Sequence, residues 1–173
     1  MDVIETERLR LSLHQMTDFH DLHAMWSDPD VVRHISGVPS SEQESWFRLL
    51  RYRGLWDLLG YGYWCVRMKA DGRYVGDVGF ADLKRVVEPP LGAVPEAGWV
   101  LARWAHGQGF ATEALQAALA WMDGRGVDRT VCIMAPENGA SRRVAEKCRY
   151  FLKRKACFRG EKTLLLQRER EDR

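Results

Sequence analysis

The sequence predicts a single α/β domain: one mixed, mostly antiparallel sheet flanked by helices. Three observations predict it. Antiparallel strand patterns come first, a strand–helix–strand–helix order follows, and a hairpin closes the chain. At 173 residues, 46% of them hydrophobic, the chain is long enough for one sizeable core and short for two. No internal repeat, low-complexity linker or shift in composition marks a boundary.

The elements follow in order. Leu9-Arg10-Leu11-Ser12-Leu13 alternates and reads as a strand. Thr17-Asp18 caps a helix through Leu22 and Met25 to Trp26, and Asp28-Pro29 opens a short helical turn. Ser41-Glu42-Gln43-Glu44 is a capping box, so a helix runs from about Glu42 to Leu50 or beyond. The aromatic, β-branched run Gly60–Met68 is a strand, and Asp71-Gly72 turns it back onto Tyr74–Leu83. Residues 86–95 carry three prolines and read as a loop. Glu96–Leu101 is a strand. Ala111–Asp123 is a helix, with Ala111, Ala114, Leu115, Ala118, Leu119 and Met122 on one stripe and Gly124 as its glycine cap. Thr130–Ala135 is a short strand, Ser141–Cys148 a helix, and Lys155–Phe158 with Thr163–Gln167 a hairpin around Arg159-Gly160.

Composition excludes several functions. Lys+Arg 26 against Asp+Glu 24 leaves a net charge of +2, which argues against a nucleic-acid partner. From Arg149 onward nine basic residues face four acidic ones, a solvated edge or an attraction for an acidic partner. Cys65, Cys132, Cys148 and Cys157 form no CxxC pair, and the five histidines show no metal-ligand spacing, so no metal is expected. Scattered cysteines suggest reduced thiols and a cytoplasmic protein. The acidic start lacks the pattern of a signal peptide, and no apolar run approaches the roughly 20 residues of a membrane span. The tryptophans at 26, 46, 56, 64 and 99 read first as core or pocket wall.

The stretch Trp99–Ala114 carries the chemistry. A strand ends, a loop with Gly107 and Gly109 follows, and a strong helix begins. Free N–H groups at such a helix start converge on one spot, and the helix dipole favours an anion there. Glycine removes the Cβ atoms that would block a phosphate. A lone GxG before a helix is also compatible with a plain turn. A Walker A loop needs Gly-Lys-Ser/Thr, which is missing, and a dinucleotide fingerprint needs a third glycine where Thr112 stands.

Gly107-Gln108-Gly109-Phe110-Ala111-Thr112-Glu113-Ala114 resembles the pyrophosphate loop of the GNAT acetyltransferase superfamily, in the form of the branch named for the ribosomal-protein alanine and serine N-acetyltransferases (Rim-type). Asn138-Gly139-Ala140-Ser141-Arg142-Arg143-Val144-Ala145-Glu146-Lys147 resembles that branch's N-x-x-S-x-x-V-x-E-K. Thr6-Glu7-Arg8-Leu9-Arg10-Leu11 resembles its first strand, and Gly76-Asp77-Val78-Gly79 its G-x-[IV]-G strand. The resemblance implies a GNAT-type domain over residues 5–168, a tail at 169–173, and acetyl-CoA as co-substrate. It implies a strand that bulges and splays from its parallel neighbour to admit the pantetheine arm. Trp99, Val100 and Leu101 would offer backbone groups to that arm. Gly107, Gln108, Gly109, Phe110, Ala111 and Thr112 would surround the pyrophosphate. Asn138 would bind a pantetheine amide, Ser141 would stand near the thioester sulfur, and Ser36–Trp56, with Trp46, would wall the acceptor side. The chain departs from the pattern at three places. Trp104 stands where Gln or Arg is usual, so a charge there must come from Arg103 or His106. Arg149-Tyr150 replaces Gly-Phe, and arginine is strained in a left-handed cap, so that turn is expected to differ. Ala145 stands where many members carry a tyrosine acid.

The implied reaction is acetyl transfer to a primary amine, a protein N-terminus or a small molecule, by direct attack. Glu96 is the candidate base, against a plain strand-end carboxylate or a water chain. Ser141 is the candidate donor to sulfur, although it or Asn138 also reads as a helix cap. An α-amine, with a pKa of about 7.7–8, needs less help than a lysine near 10.4. The alternative is a non-catalytic CoA-binding module or regulatory subunit, against which Asn138 and Ser141 argue. A homodimer is left open.

Overall fold

The computed structural model describes residues 3–170. One nine-stranded sheet runs in the order β1-β2-β3-β4-β6-β7-β9-β8-β5. Its strands are β1 (Ile4–Glu5), β2 (Leu9–Ser12), β3 (Tyr63–Met68), β4 (Tyr74–Ala81), β5 (Val87–Glu88), β6 (Glu96–Leu101), β7 (Arg129–Met134), β8 (Phe151–Phe158) and β9 (Glu161–Glu169). Every neighbouring pair is antiparallel except β6 with β7. The helices are α1 (Phe19–Trp26), α2 (Pro29–Val32), α3 (Glu42–Leu59), α4 (Phe110–Gly124) and α5 (Gly139–Lys147). The expected fold class is the observed one.

Strand alternation divides two cores between the faces of the sheet. Leu9, Leu11, Trp64, Val66, Val78, Phe80, Ala97 and Leu101 pack under α4, whose predicted stripe is buried against them. Trp56, Trp64 and Trp121 add a three-way edge-to-face cluster with ring centroids 4.7–5.3 Å apart. On the other face Cys65 and Ala81 meet Leu22, Met25, Trp26, Leu49, Tyr52 and Leu55 of α1 and α3. That face also buries Asp77, which accepts from Trp26 Nε1 at 3.2 Å, from the Tyr74 hydroxyl, and bonds His14 Nε2 at 2.6 Å. Asp77 thereby pins α1 and the segment that follows β2 to β4, directly opposite Val100 of β6.

Several boundaries differ from expectation. Asp18 does not cap α1. It ends a 3-10 turn at Met16–Asp18, where its carboxylate takes the Gln15 N–H at 2.7 Å and Arg67 Nη2 at 2.7 Å. The Ser41–Glu44 capping box forms as read, with bonds of 3.2 and 2.7 Å, and α3 continues to Gly60 in the left-handed region. Gly124 is still helical, and the left-handed glycine is Gly126, at φ +77°. Two-residue strands appear at β1 and inside the proline-rich loop at β5. The closing hairpin is longer than read, and β9 includes Glu169. Arg149 does take the left-handed conformation, at φ +66°, so the turn after α5 keeps the geometry that arginine was expected to prevent. Among the described residues no helix is long and apolar enough to cross a membrane.

Candidate active site

The site is organised by a gap in the sheet. β6 and β7 are registered at one pair only, Glu96 with Val131, next to a bond from the Val131 N–H to the Pro95 carbonyl at 3.0 Å. Beyond that rung the strands part, and Gly98, Trp99 and Val100 are half-exposed in the middle of a nine-stranded sheet. The register of β6 against β4 runs unbroken from Gly76–Leu101 to Ala81–Glu96. The expected splay is therefore present, but it arises from divergence of β7 and not from a bulge in β6. Of the three predicted backbone positions, Trp99 turns its N–H and carbonyl to the open edge, whereas Val100, in step with Ala102, whose N–H bonds the Val75 carbonyl at 2.9 Å, faces β4 opposite Asp77. The Leu101 carbonyl is already taken by His106 Nε2 at 2.8 Å.

At one end of the gap lies the glycine loop. Gly107 (φ +73°) and Gly109 (φ +80°) both occupy the left-handed region, so the loop is built on conformations that other residues adopt at a cost of about 1–2 kcal/mol. Gly109 is the N-cap of α4 and supplies no side-chain cap. The N–H groups of Phe110, Ala111 and Thr112 are taken by no described residue, the unsatisfied helix start that attracts an anion. Residues 107–109 are exposed, and the Phe110 ring is buried beneath them.

Neither cation expected to serve this loop is free to do so. Arg103 is bound to Asp28 and Asp30, and His106 holds Leu101. Trp104 is a prop: its Nε1 donates to the Tyr74 carbonyl at 3.0 Å, and the Arg73 guanidinium lies 3.9 Å above its ring. The guanidinium that does reach the loop is that of Arg8, far away in sequence. Its Nε meets Glu113 Oε2 at 2.7 Å, its Nη1 donates to the Gln108 carbonyl at 3.0 Å, and its Cζ sits 4.4 Å from the Phe110 ring centre. Its Nη2 has no partner among the described residues and would lie 3.5 Å from a Cβ added at Gly109. Glu113 also accepts from Thr6 Oγ1 at 2.6 Å and from the Arg8 N–H at 2.9 Å. Burial would raise its carboxyl, but these bonds outweigh burial and hold it below the usual range.

Across the gap Asn138 is the N-cap of α5, its Oδ1 accepting the Ser141 N–H at 3.1 Å. Its NH2 group makes no bond to a described residue, so donation is its main remaining capacity. Ser141 is half-buried in the first turn of α5, and its hydroxyl has no partner there. Ala145, one turn on, is fully buried.

At the closed end stands Glu96. Along β6, Glu96, Gly98 and Val100 alternate onto the face carrying α1 and α3. Both oxygens of Glu96 accept from Arg85 Nε, at 2.9 and 3.0 Å. Burial pushes the carboxyl above its usual range, and the Arg85 guanidinium offsets this only in part. Tyr63 is the neighbour on β3. Its ring stacks on Tyr52 at 4.6 Å, and its hydroxyl lies against the bare Cα of Gly98, where an added Cβ would collide with it. Burial raises the Tyr63 phenol, which is therefore a neutral donor at physiological pH. A cavity of about 360 Å³ opens beside Glu96, lined by Asp82, Lys84 and Arg85 just after β4 and by Leu91 and Val94 of the proline-rich loop. No residue of 36–56 lines it, and Trp46 instead packs edge-on against Phe19 of α1 at 5.3 Å. The loop, Arg85 and Tyr63 were missed in the sequence. Tyr63 lay in a run read as strand, and Arg85 had no motif around it.

The geometry agrees with what comparisons return. Residues 8–150 match the family model described as an acetyltransferase (GNAT) domain. The Bacillus subtilis protein YkkB, itself uncharacterized, is 31% identical over 82% of this chain and 81% of its own. A structure assigned to the GNAT-family acetyltransferases, from Bordetella pertussis, is 32% identical with a TM-score of 0.83, covering 97% of this chain and 99% of the other. RimL, a ribosomal L7/L12 α-N-protein acetyltransferase solved in complex with coenzyme A, shares the fold at a TM-score of 0.79 and 18% identity, covering 97% and 98%.

Proposed function

Because this chain belongs to the GNAT acetyltransferase family and is thus an acetyl-CoA-dependent acetyltransferase, we propose that it acetylates a primary amine by direct attack in a ternary complex. One observation carries the reading: the sheet opens between β6 and β7 from the Glu96–Val131 pair toward the glycine loop that starts α4. The first-strand, loop and α5 motifs support descent within the Rim-type branch.

The residues divide the work by position. The N–H groups from Gly107 to Thr112, with Gln108 in the loop, would hold the diphosphate, and Arg8 Nη2 would add the charge that Trp104 cannot. The free backbone edge at Trp99, with the Asn138 NH2, would pair with the pantetheine arm. Bound acetyl-CoA supplies an acyl carbon activated as a thioester. The amine nitrogen attacks that carbon, a C–N bond forms, and the C–S bond breaks. Glu96, whose raised pKa makes it a better base than an exposed carboxylate, accepts the proton the nitrogen loses. Ser141 donates to the departing sulfur from across the gap. Tyr63, at Gly98, is a second neutral hydroxyl on the acceptor side.

CoA thiol release with a panel of amines, followed by mass analysis of the products, tests this. Amine-dependent release with a mass gain of one acetyl group is the expected result. Acetyl-CoA binding without any transfer would leave a CoA-binding module instead.

A further inference from the structure

The charges that line the cavity beside Glu96 are unevenly satisfied. Four ionisable side chains line it, and they are paired among themselves: Lys84 Nζ holds Asp82 Oδ2 at 2.6 Å, and Arg85 Nε holds both oxygens of Glu96 at 2.9 and 3.0 Å. No carboxylate is left over to receive a second ammonium group, which a polyamine would bring. The unused capacity belongs to Arg85. Its side chain is 28% exposed, and its two Nη groups bond to no described residue. Glu96 grips the Nε edge, and the Phe158 ring lies 5.1 Å from Cζ, so the guanidinium is held in place. A fork of N–H donors fixed in this way matches a carboxylate through two parallel bonds. The volume of about 360 Å³ is at the small end of ligand pockets and suits a metabolite-sized molecule.

We propose that the acceptor is a small primary amine that also bears a carboxylate, an amino-acid-like molecule. Its acid group is read by the Nη pair of Arg85 while its amine stands at Glu96. This rests on the acetyl-transfer reading above. The arrangement also helps the chemistry. A substrate's own carboxylate favours its protonated ammonium form, and pairing that carboxylate with Arg85 weakens the effect. The guanidinium itself disfavours a second positive charge nearby, so the neutral, nucleophilic amine is favoured.

Matched acceptors test the proposal: an amino acid, its primary amide and the decarboxylated amine, over a range of side chains. Thiol release is measured above the pH at which Glu96 protonates, for the wild type and for Arg85→Met and Arg85→Lys. The wild type is expected to prefer the acid by roughly ten- to a hundredfold in kcat/KM, the worth of a charge-assisted fork. Arg85→Met should bring that ratio close to one, and Arg85→Lys, which keeps the charge without the fork, should retain only part of it. Any effect of the substitutions on Glu96 acts on acid and amide alike and cancels in the ratio. A wild-type ratio near one, or a ratio that neither substitution changes, overturns the proposal. Acetylation of peptide N-termini in preference to every small acid overturns it while leaving acetyl transfer intact. No thiol release with any amine overturns both readings.

Discussion

Replacing Arg8 by Gln separates its two roles. Two of the three bonds to Glu113 survive, since Thr6 Oγ1 and the Arg8 N–H still reach it at 2.6 and 2.9 Å. The ion pair that is lost joins side chains 40% and 18% exposed, so solvent screening limits its worth to about 1 kcal/mol of stability. The cofactor effect is separate. One charge-assisted hydrogen bond to a phosphate is worth about 1.5–3 kcal/mol, and the exposure of Arg8 argues for the lower end, about tenfold in affinity. The assay compares two acyl donors, acetyl-CoA and acetyl-pantetheine, which lacks the diphosphate. In Arg8→Gln, kcat/KM for acetyl-CoA should fall about tenfold at low salt, and that for acetyl-pantetheine should not fall with it. The deficit should shrink as salt screens the exposed charge. Equal losses with both donors would mean that Arg8 only shapes the loop. No loss with acetyl-CoA would remove it from the phosphate site.

Three further outcomes are expected. Ser141→Ala should lower kcat by roughly ten- to a thousandfold with little change in acetyl-CoA KM, and full activity would leave Ser141 as a helix-start residue. The pH profile of kcat/KM should lose activity as pH falls through the Glu96 pKa, which burial sets above the ordinary carboxylate range. Arg85→Met removes the guanidinium that opposes burial, so its acid limb should lie higher still, whereas an unmoved limb would assign it to another group. Gly109→Val puts a β-branched residue at φ +80° beside Arg8, and calorimetry should find acetyl-CoA binding lost in a chain that still folds.

What was legible in the sequence was whatever local pattern controls. The α4 stripe, the Ser41–Glu44 box and the two loop glycines are each settled within a few residues, and each appears where expected. The illegible parts depend on partners far along the chain. β1 and β5 are two residues long and exist only because Leu11–Arg10 and Phe158–Cys157 lie opposite them. The first half of β8 was missed because the register shift between Leu152 and Arg154 breaks its alternation. Arg8 and Glu113 are 105 residues apart, so nothing near either one pointed to their clasp. The Arg149 turn shows local preference losing to packing. Cys148 and Tyr150 are both buried, and arginine follows them into the left-handed region. Asn138 takes the helix-cap position that the sequence also allowed it, and its oxygen is engaged by the Ser141 N–H.

The parting of β6 and β7 has a mechanical consequence. With one registered pair between them, the sheet is two panels meeting at a seam, β1-β2-β3-β4-β6 on one side and β7-β9-β8-β5 on the other. The segment from Ala81 to Glu96 acts as a strap: it leaves the first panel, pairs at the outer edge of the second through β5, and returns. A ligand that pairs with both lips of the seam is therefore structural mortar as well as reagent. Acetyl-CoA should slow amide exchange at Trp99 and Ile133 together, the positions that alternate toward the seam. A chain cut at Gly126, between α4 and β7, should yield two fragments that reassemble most tightly when acetyl-CoA is present as the third component.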